Sequence, residues 1–182
     1  MSEPAPSLQA DDFALFGLPR RFALDVAELD ERRKALQRLI HPDRHAAAGA
    51  AAQRVAMQWS VRINEAWQRL RDPLRRAAYW CELHGMPVQA EAHTAMPADF
   101  LAQQMRWREA LDEADGDVEA LHALRCEVES ERAARLQQLA DAIDRHLDPH
   151  AAATQVRALM FIERLLDTLH ARLDAAERPK AH

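Results

Sequence analysis

The chain has 182 residues, room for one large or two small domains, and it is rich in Ala, Leu, Glu, Arg and Gln with only four Gly and 5% aromatics. Helix formers dominate and β-branched residues are few, so an all-α fold is expected. The net charge of −5 is uneven, +2 over residues 1–84 and −7 over 85–182, which implies two surfaces with different partners and, with a pI near 6.0, argues against a general nucleic-acid-binding field. Cys81 and Cys126 are far apart and form neither a disulfide framework nor a metal-ligand spacing, and no metal or cofactor is expected. No apolar run reaches membrane-spanning length and the first ten residues lack an apolar signal core, so a soluble, cytoplasmic protein without a membrane partner is expected.

Residues 1–10 read as a flexible tail. The apolar segment Asp12-Phe13-Ala14-Leu15-Phe16 is stopped by Gly17 and Pro19 after a helical turn or two. Asp25-Val26-Ala27-Glu28 has the form of a capping box and opens a helix to about residue 40. Val26, Leu29, Leu36 and Ile40 share one face of it, the face expected to be buried, with Lys34 and Arg38 one turn apart on the other side. Pro42 disfavours helical geometry at His41, so the helix must end there. A second long helix runs from about 50 to Arg71, with Val55, Trp59, Ile63, Ala66, Trp67 and Leu70 as its apolar positions. Asp72-Pro73 restarts the chain, and a shorter helix ends before Gly85, a predicted C-cap. The two long helices form an antiparallel hairpin, and the segment around Phe13 and Phe16 can cover its open face.

Residues 85–96 read as a linker. Pro97 suits the first turn of a helix reaching about residue 113, and Asp115-Gly116-Asp117 breaks it. A helix to about Leu147 and a last one over about 150–176 complete an up-down-up three-helix bundle, with 177–182 as a tail.

His41-Pro42-Asp43 falls between the two long helices, directly after a basic helix. Proline stiffens the loop, Asp43 offers a carboxylate that a partner's arginine can grip bidentately, and His41 adds a donor or acceptor beside it. Lys34 and Arg38 supply a positive face that steers an acidic partner. The bland alternative is a helix-ending turn with a capping Asp beside a solvated helix face. An acid–base enzyme using His41 and Asp43 is the second alternative, but no Ser or Cys lies near in sequence to complete a catalytic set. A nucleic-acid hairpin using Arg32, Arg33, Lys34 and Arg38 is the third, and the acidic balance of the chain opposes it.

Phe13-Ala14-Leu15-Phe16-Gly17-Leu18, Leu39-Ile40-His41-Pro42-Asp43-Arg44 and Ile63-Asn64-x-Ala66-Trp67-x-x-Leu70 together resemble a J-domain. The continuation through Leu83-His84-Gly85, His93-Thr94 and Phe100-Leu101 to Arg108-Glu109-x-Leu111 resembles the HscB family of co-chaperones, over roughly residues 11–176. Ile40 stands where that family commonly has an aromatic. The resemblance implies a J-domain over 11–84 that stimulates the ATPase of a DnaK-class, HscA-type chaperone through His41, Pro42, Asp43, Lys34 and Arg38. It also implies a C-terminal bundle over 97–176 that delivers an IscU-type iron–sulfur scaffold protein. The chain itself is then no enzyme, since the ATP chemistry belongs to its partner.

The helix over 97–113 carries more apolar width than one core contact needs. Phe100, Trp107 and Leu111 make one stripe, while Leu101 and Met105 lie about 100° round from it with Glu109 beyond. In the last helix, Leu159, Ile162, Leu166, Leu169 and Leu173 form the core stripe, Phe161 falls outside it and Leu165 sits at its margin. Apolar residues off the core face can mark a contact patch. The resemblance turns Leu101, Met105, Glu109, Phe161 and Leu165 into the expected scaffold-binding residues. Ala102, Arg106 and Met160 depart from the family pattern at neighbouring positions.

Overall fold

A computed structural model describes residues 9–40, 49–89, 96–114 and 116–177. Seven helices and no strand occur among the described residues: α1 (Asp12–Leu15), α2 (Val26–Leu39), α3 (Ala50–Arg71), α4 (Pro73–Leu83), α5 (Ala98–Glu113), α6 (Val118–Asp144) and α7 (Pro149–Glu177). Aspartates start most of them. Asp11, Asp25, Asp72, Asp117 and Asp148 each accept a hydrogen bond from a backbone N–H of the first turn that follows, an arrangement that contributes about 1 kcal/mol per cap. The Asp25 cap is one-sided. Glu28 binds the guanidinium of Arg32 at 2.8 Å instead of returning to the cap, so the full box predicted from sequence is not closed. At the other end of α4, Gly85 takes φ +76°, the Met86 N–H donates to the Cys81 carbonyl and the Gly85 N–H to that of Glu82. This is the glycine C-cap expected from sequence.

The chain divides into two compact units, residues 1–80 and 81–182, so the division falls inside α4, four residues before the expected end of the first domain at 84. In the first unit α2 packs on α3. Asp30 accepts from the Trp67 indole N–H at 2.6 Å and Gln37 donates to Asn64 at 3.2 Å, so the numbering rises on one helix as it falls on the other and the pair is antiparallel. Leu29, Ala56, Ile63, Ala66 and Leu70 fill the seam, and α1 covers it with Phe13, Leu15 and Phe16. Phe13 stacks on Tyr79 of α4 with centroids 6.1 Å apart.

Beside those apolar groups lies a fully buried carboxylate. Asp12 pairs with Arg62 at 2.7 Å and Arg69 at 2.8 Å on α3, and its backbone N–H donates to the Tyr79 hydroxyl at 3.1 Å. The hydroxyl of Tyr79 is held above its ordinary pKa, mainly by burial. Arg69 also lies over the Tyr79 ring, 4.7 Å from its centroid.

The expected buried face of α2 is only partly realised. Leu29 is fully buried and Leu36 and Ile40 are half-buried, but Val26 is 37% exposed; on α3, Val55 is 49% exposed. Val26 opens α2, and Val55 lies in the second turn of α3. Periodicity identifies the inward direction, but the length of the neighbouring element decides how far along that direction water is excluded.

In the second unit α5, α6 and α7 form the up-down-up bundle. Trp107 donates to Glu127 and Arg135 lies over Phe100, so α5 and α6 are antiparallel. Arg132 pairs with Glu163 and Arg135 bonds Gln155, so α6 and α7 are antiparallel too. Helix α6 ends at Asp144, three residues short of its expected end, and Leu147 turns the chain in a left-handed conformation, φ +49°. Cys81 is fully buried and its thiol is pushed up to about 12 by desolvation, whereas Cys126 is exposed.

Two measurements check this packing. Asp12→Ala is expected to lower stability by roughly 2–4 kcal/mol, and Arg20→Ala, which removes an ion pair whose arginine is 53% exposed, by less than about 1 kcal/mol; equal shifts in urea midpoint would contradict the assignment of Asp12 as a buried anchor. Alkylation of native protein at pH 8 should modify Cys126 alone, with Cys81 reacting only after unfolding, as read by mass spectrometry.

Candidate partner-binding surfaces

The first surface is the outer side of α2. Lys34 and Arg38 are both exposed, one turn apart, in the carboxyl-terminal half of the helix, where the helix dipole favours cations. Lys34 pairs with Glu31 at 2.8 Å, and that hydrogen bond holds the Glu31 carboxyl below its ordinary pKa. The Arg38 Nε donates to the Lys34 carbonyl at 3.3 Å. A solvated i,i+3 pair of this kind is weak and readily exchanged for a partner's carboxylate. His41, Pro42 and Asp43 lie outside the described residues, in the segment joining the end of α2 to the start of α3.

The second surface is on α5, which sorts its apolar residues onto two sides. Phe100, Trp107 and Leu111 are buried against α6 and α7. Leu101, 46% exposed, and Met105, 63% exposed, form a stripe at i and i+4 that continues to the exposed Glu109. This is the outward strip that the excess apolar width of the helix predicted.

On α7 the expectations separate. Phe161 is half-buried: it stacks on Trp107 with centroids 6.4 Å apart and planes 8° from parallel, meets Phe100 edge-on at 6.0 Å, and carries the Arg108 guanidinium over its ring at 5.7 Å. It is as much a support for α5 as a contact residue. Leu165 is a correction. It is 6% exposed and belongs to the bundle core, so it offers no surface to a partner. Its marginal position on the helical wheel is covered because α7 receives two neighbours, α5 and α6, and their combined contact arc is wider than one stripe. The Arg108–Phe161 contact escaped the sequence reading, because the two residues lie on different helices and no pattern local to either couples them.

Among the described residues, no group of His, Cys, Asp and Glu is placed to hold a metal, and no helix is long and apolar enough to cross a membrane. The features on the surface are a basic helix face and an apolar stripe, both suited to binding other proteins.

These features define an all-α interaction protein with one basic-faced helical hairpin and one helical bundle. Comparison with known proteins makes this specific. Residues 96–170 match the family model described as HSCB C-terminal oligomerisation domain. The chain is 50% identical over 165 residues to a co-chaperone protein HscB homolog of Bordetella pertussis, covering 90% of this chain and 97% of the relative, and 49% identical over 173 residues to that of Burkholderia multivorans, covering 94% and 98%. Among solved structures it is similar to chaperone HscB from Vibrio cholerae, with TM-score 0.75 and 35% identity over 92% of this chain and 99% of that one. It is also similar to human co-chaperone protein HscB, with TM-score 0.81 and 25% identity over 92% and 84%. The chain belongs to the HscB family of co-chaperones.

The division of α5 and α7 into surface and core has a direct check. Leu101→Ser with Met105→Ser should change stability by no more than about 0.5 kcal/mol per site, whereas Leu165→Ala should cost roughly 2–4 kcal/mol. Thermal unfolding of the three proteins separates these outcomes.

Proposed function

We propose that this co-chaperone stimulates the ATPase of an HscA-type, DnaK-class chaperone and delivers an IscU-type scaffold protein to it, in the maturation of iron–sulfur proteins in the cytoplasm. The hairpin unit, taken as the J-domain over 11–84, engages the chaperone through Lys34, Arg38 and the His41-Pro42-Asp43 tripeptide. The bundle over 97–176 engages the scaffold through Leu101, Met105 and Glu109, with the half-buried Phe161 at the margin. The ATP chemistry is the partner's; this chain supplies binding energy and orientation.

The observation that carries the client half is the exposed Leu101–Met105 stripe on a helix whose other large apolar residues, Phe100, Trp107 and Leu111, are buried. Exposing two large apolar side chains in register on a 16-residue helix brings no stability to the free protein, and burying them against a partner contributes about 1.5–3 kcal/mol each. Glu109 at the end of the stripe gives that surface a charged rim, the arrangement of a specific contact rather than of indiscriminate adhesion. For the chaperone half, the support is the exposed basic face of α2 leading into the tripeptide, together with the co-chaperone relatives.

Two experiments on the full chain test the two halves separately. His41→Gln should abolish stimulation of the chaperone's ATPase while leaving helicity and scaffold binding unchanged; wild-type stimulation by this variant would refute the J-site. Leu101→Ala with Met105→Ala should weaken scaffold binding by roughly ten- to a hundredfold in calorimetry, with ATPase stimulation in the absence of scaffold unaffected. Unchanged scaffold affinity would remove the α5 stripe from the interface.

A further inference from the structure

At the corner where α3 passes into α4, Trp67, Gln68, Arg71, Asp72 and Arg75 line an open recess of about 360 Å³. It lies at the Arg71 end of α3, and the tripeptide segment precedes the Ala50 end; the 22 residues of the helix put about 30 Å between those ends. Nothing in the function proposed above uses it.

The recess is electrostatically incomplete. Across the rest of the molecule, arginines repeatedly find a carboxylate: Arg20 pairs with Asp11, Arg32 with Glu28, Arg62 and Arg69 with Asp12, Arg132 with Glu163 and Arg135 with Glu131. Arg71 and Arg75 are exposed, line one recess together, and have no carboxylate in ion-pairing range among the described residues. The nearest acid, Asp72, already accepts the Arg75 backbone N–H at 2.8 Å as the cap of α4. The indole N–H of Trp67 is likewise committed, to Asp30. The Trp67 ring carries Arg71 at 5.0 Å and Arg33 of α2 at 4.0 Å from its centroid. This stacking orders the Arg71 guanidinium without neutralising it. Two arginines against the single carboxylate of Asp72, which is turned to the amino-terminal end of α4, leave the recess with an excess of positive charge that an anion seated there offsets.

We propose that this recess is a second chaperone contact, which holds an acidic peptide segment of the same ATP-driven partner. A carboxylate side chain sits in the fork of Arg71 and Arg75, Gln68 donates to it, and a neighbouring apolar side chain lies along Trp67. The choice of partner follows from continuity of charge: Arg33 is adjacent in sequence to Lys34 on α2, and Arg33, Trp67, Arg71 and Arg75 extend the basic face of α2 across the hairpin. The recess is small, about 360 Å³, which suits one or two side chains of a peptide. The inference rests on the co-chaperone reading above.

The test is the chaperone ATPase titrated with the full chain at several salt concentrations. Arg71→Gln with Arg75→Gln should raise the half-maximal concentration about tenfold and flatten its salt dependence, with maximal stimulation unchanged. This pattern differs from the loss of maximal stimulation expected of His41→Gln. Arg71→Lys with Arg75→Lys keeps the charge and should retain the salt dependence. Arg145→Gln with Arg164→Gln removes the same charge from the other unit and should change nothing. Helicity and melting temperature of each variant control for folding. An unchanged half-maximal concentration in the glutamine variant overturns the inference and leaves the co-chaperone reading standing. Absence of stimulation by wild type overturns both. Binding of a short DNA duplex at physiological salt, lost in the glutamine variant, would assign the recess to nucleic acid instead and equally overturn it.

Discussion

The first unit depends on one buried charge. Asp12 sits in a helix of four residues, far too short to be stable by itself, and its carboxylate has no access to water. Such a group is tolerated only when its ionic partners are supplied in place. Arg62 and Arg69, two turns apart on α3, supply them, and Tyr79 on α4 receives the Asp12 backbone N–H. A segment that would fray if left alone is thus held in one position, and Phe13, Leu15 and Phe16 close the open side of the hairpin. Arg32 of α2 adds a tie by donating to the Phe16 carbonyl at 2.9 Å. The basic face of α2 is presented from this pinned hairpin rather than from a loose helix. Orientation of this kind reduces the ordering cost that a partner must offset on binding.

The second unit solves a different problem. A three-helix bundle needs one apolar stripe per helix, or two on a helix that meets two neighbours. Helix α7 is of the latter kind, and it buries ten residues along its length. Helix α5 buries three and leaves Leu101 and Met105 in water. The aromatic group of Phe100, Trp107 and Phe161 anchors α5 on α7 through edge and stacked contacts. These contacts hold α5 by its inner side and leave Leu101 and Met105 on the outer one. Residues 85–182 also carry an excess of acidic residues, −7 in all.

The two surfaces belong to different units with opposite charge balance, +2 and −7 over the two halves of the sequence. Among the described residues, neither holds a group of His, Cys, Asp and Glu placed to bind a metal. A basic face and an apolar stripe act by different physics, the field of one reaching further and screened by salt, the other effective only on contact.

The sequence by itself determined the helices and their order, and most of their ends to within a few residues, although α6 stops at Asp144 rather than Leu147. Aspartate caps, Gly85 and the proline breaks act within a few residues, so they are legible without knowledge of the rest of the chain. It also determined that α5 carries surplus apolar width, because helical spacing is a local property, and the family, because the tripeptide and its flanking motifs occur at fixed separations. Tertiary structure alone decided which members of each stripe are covered. Val26 and Val55 emerge into water near the helix starts, while Leu165, marginal on the wheel, is enclosed between two neighbours. It alone revealed the role of Asp12 and the recess of Trp67, Arg71 and Arg75, since both are assembled by helices that meet only after folding. The physical reason is range. Caps and breakers are settled by backbone geometry over one turn, whereas burial and charge pairing depend on partners tens of residues away, whose positions are set by the packing of the whole unit.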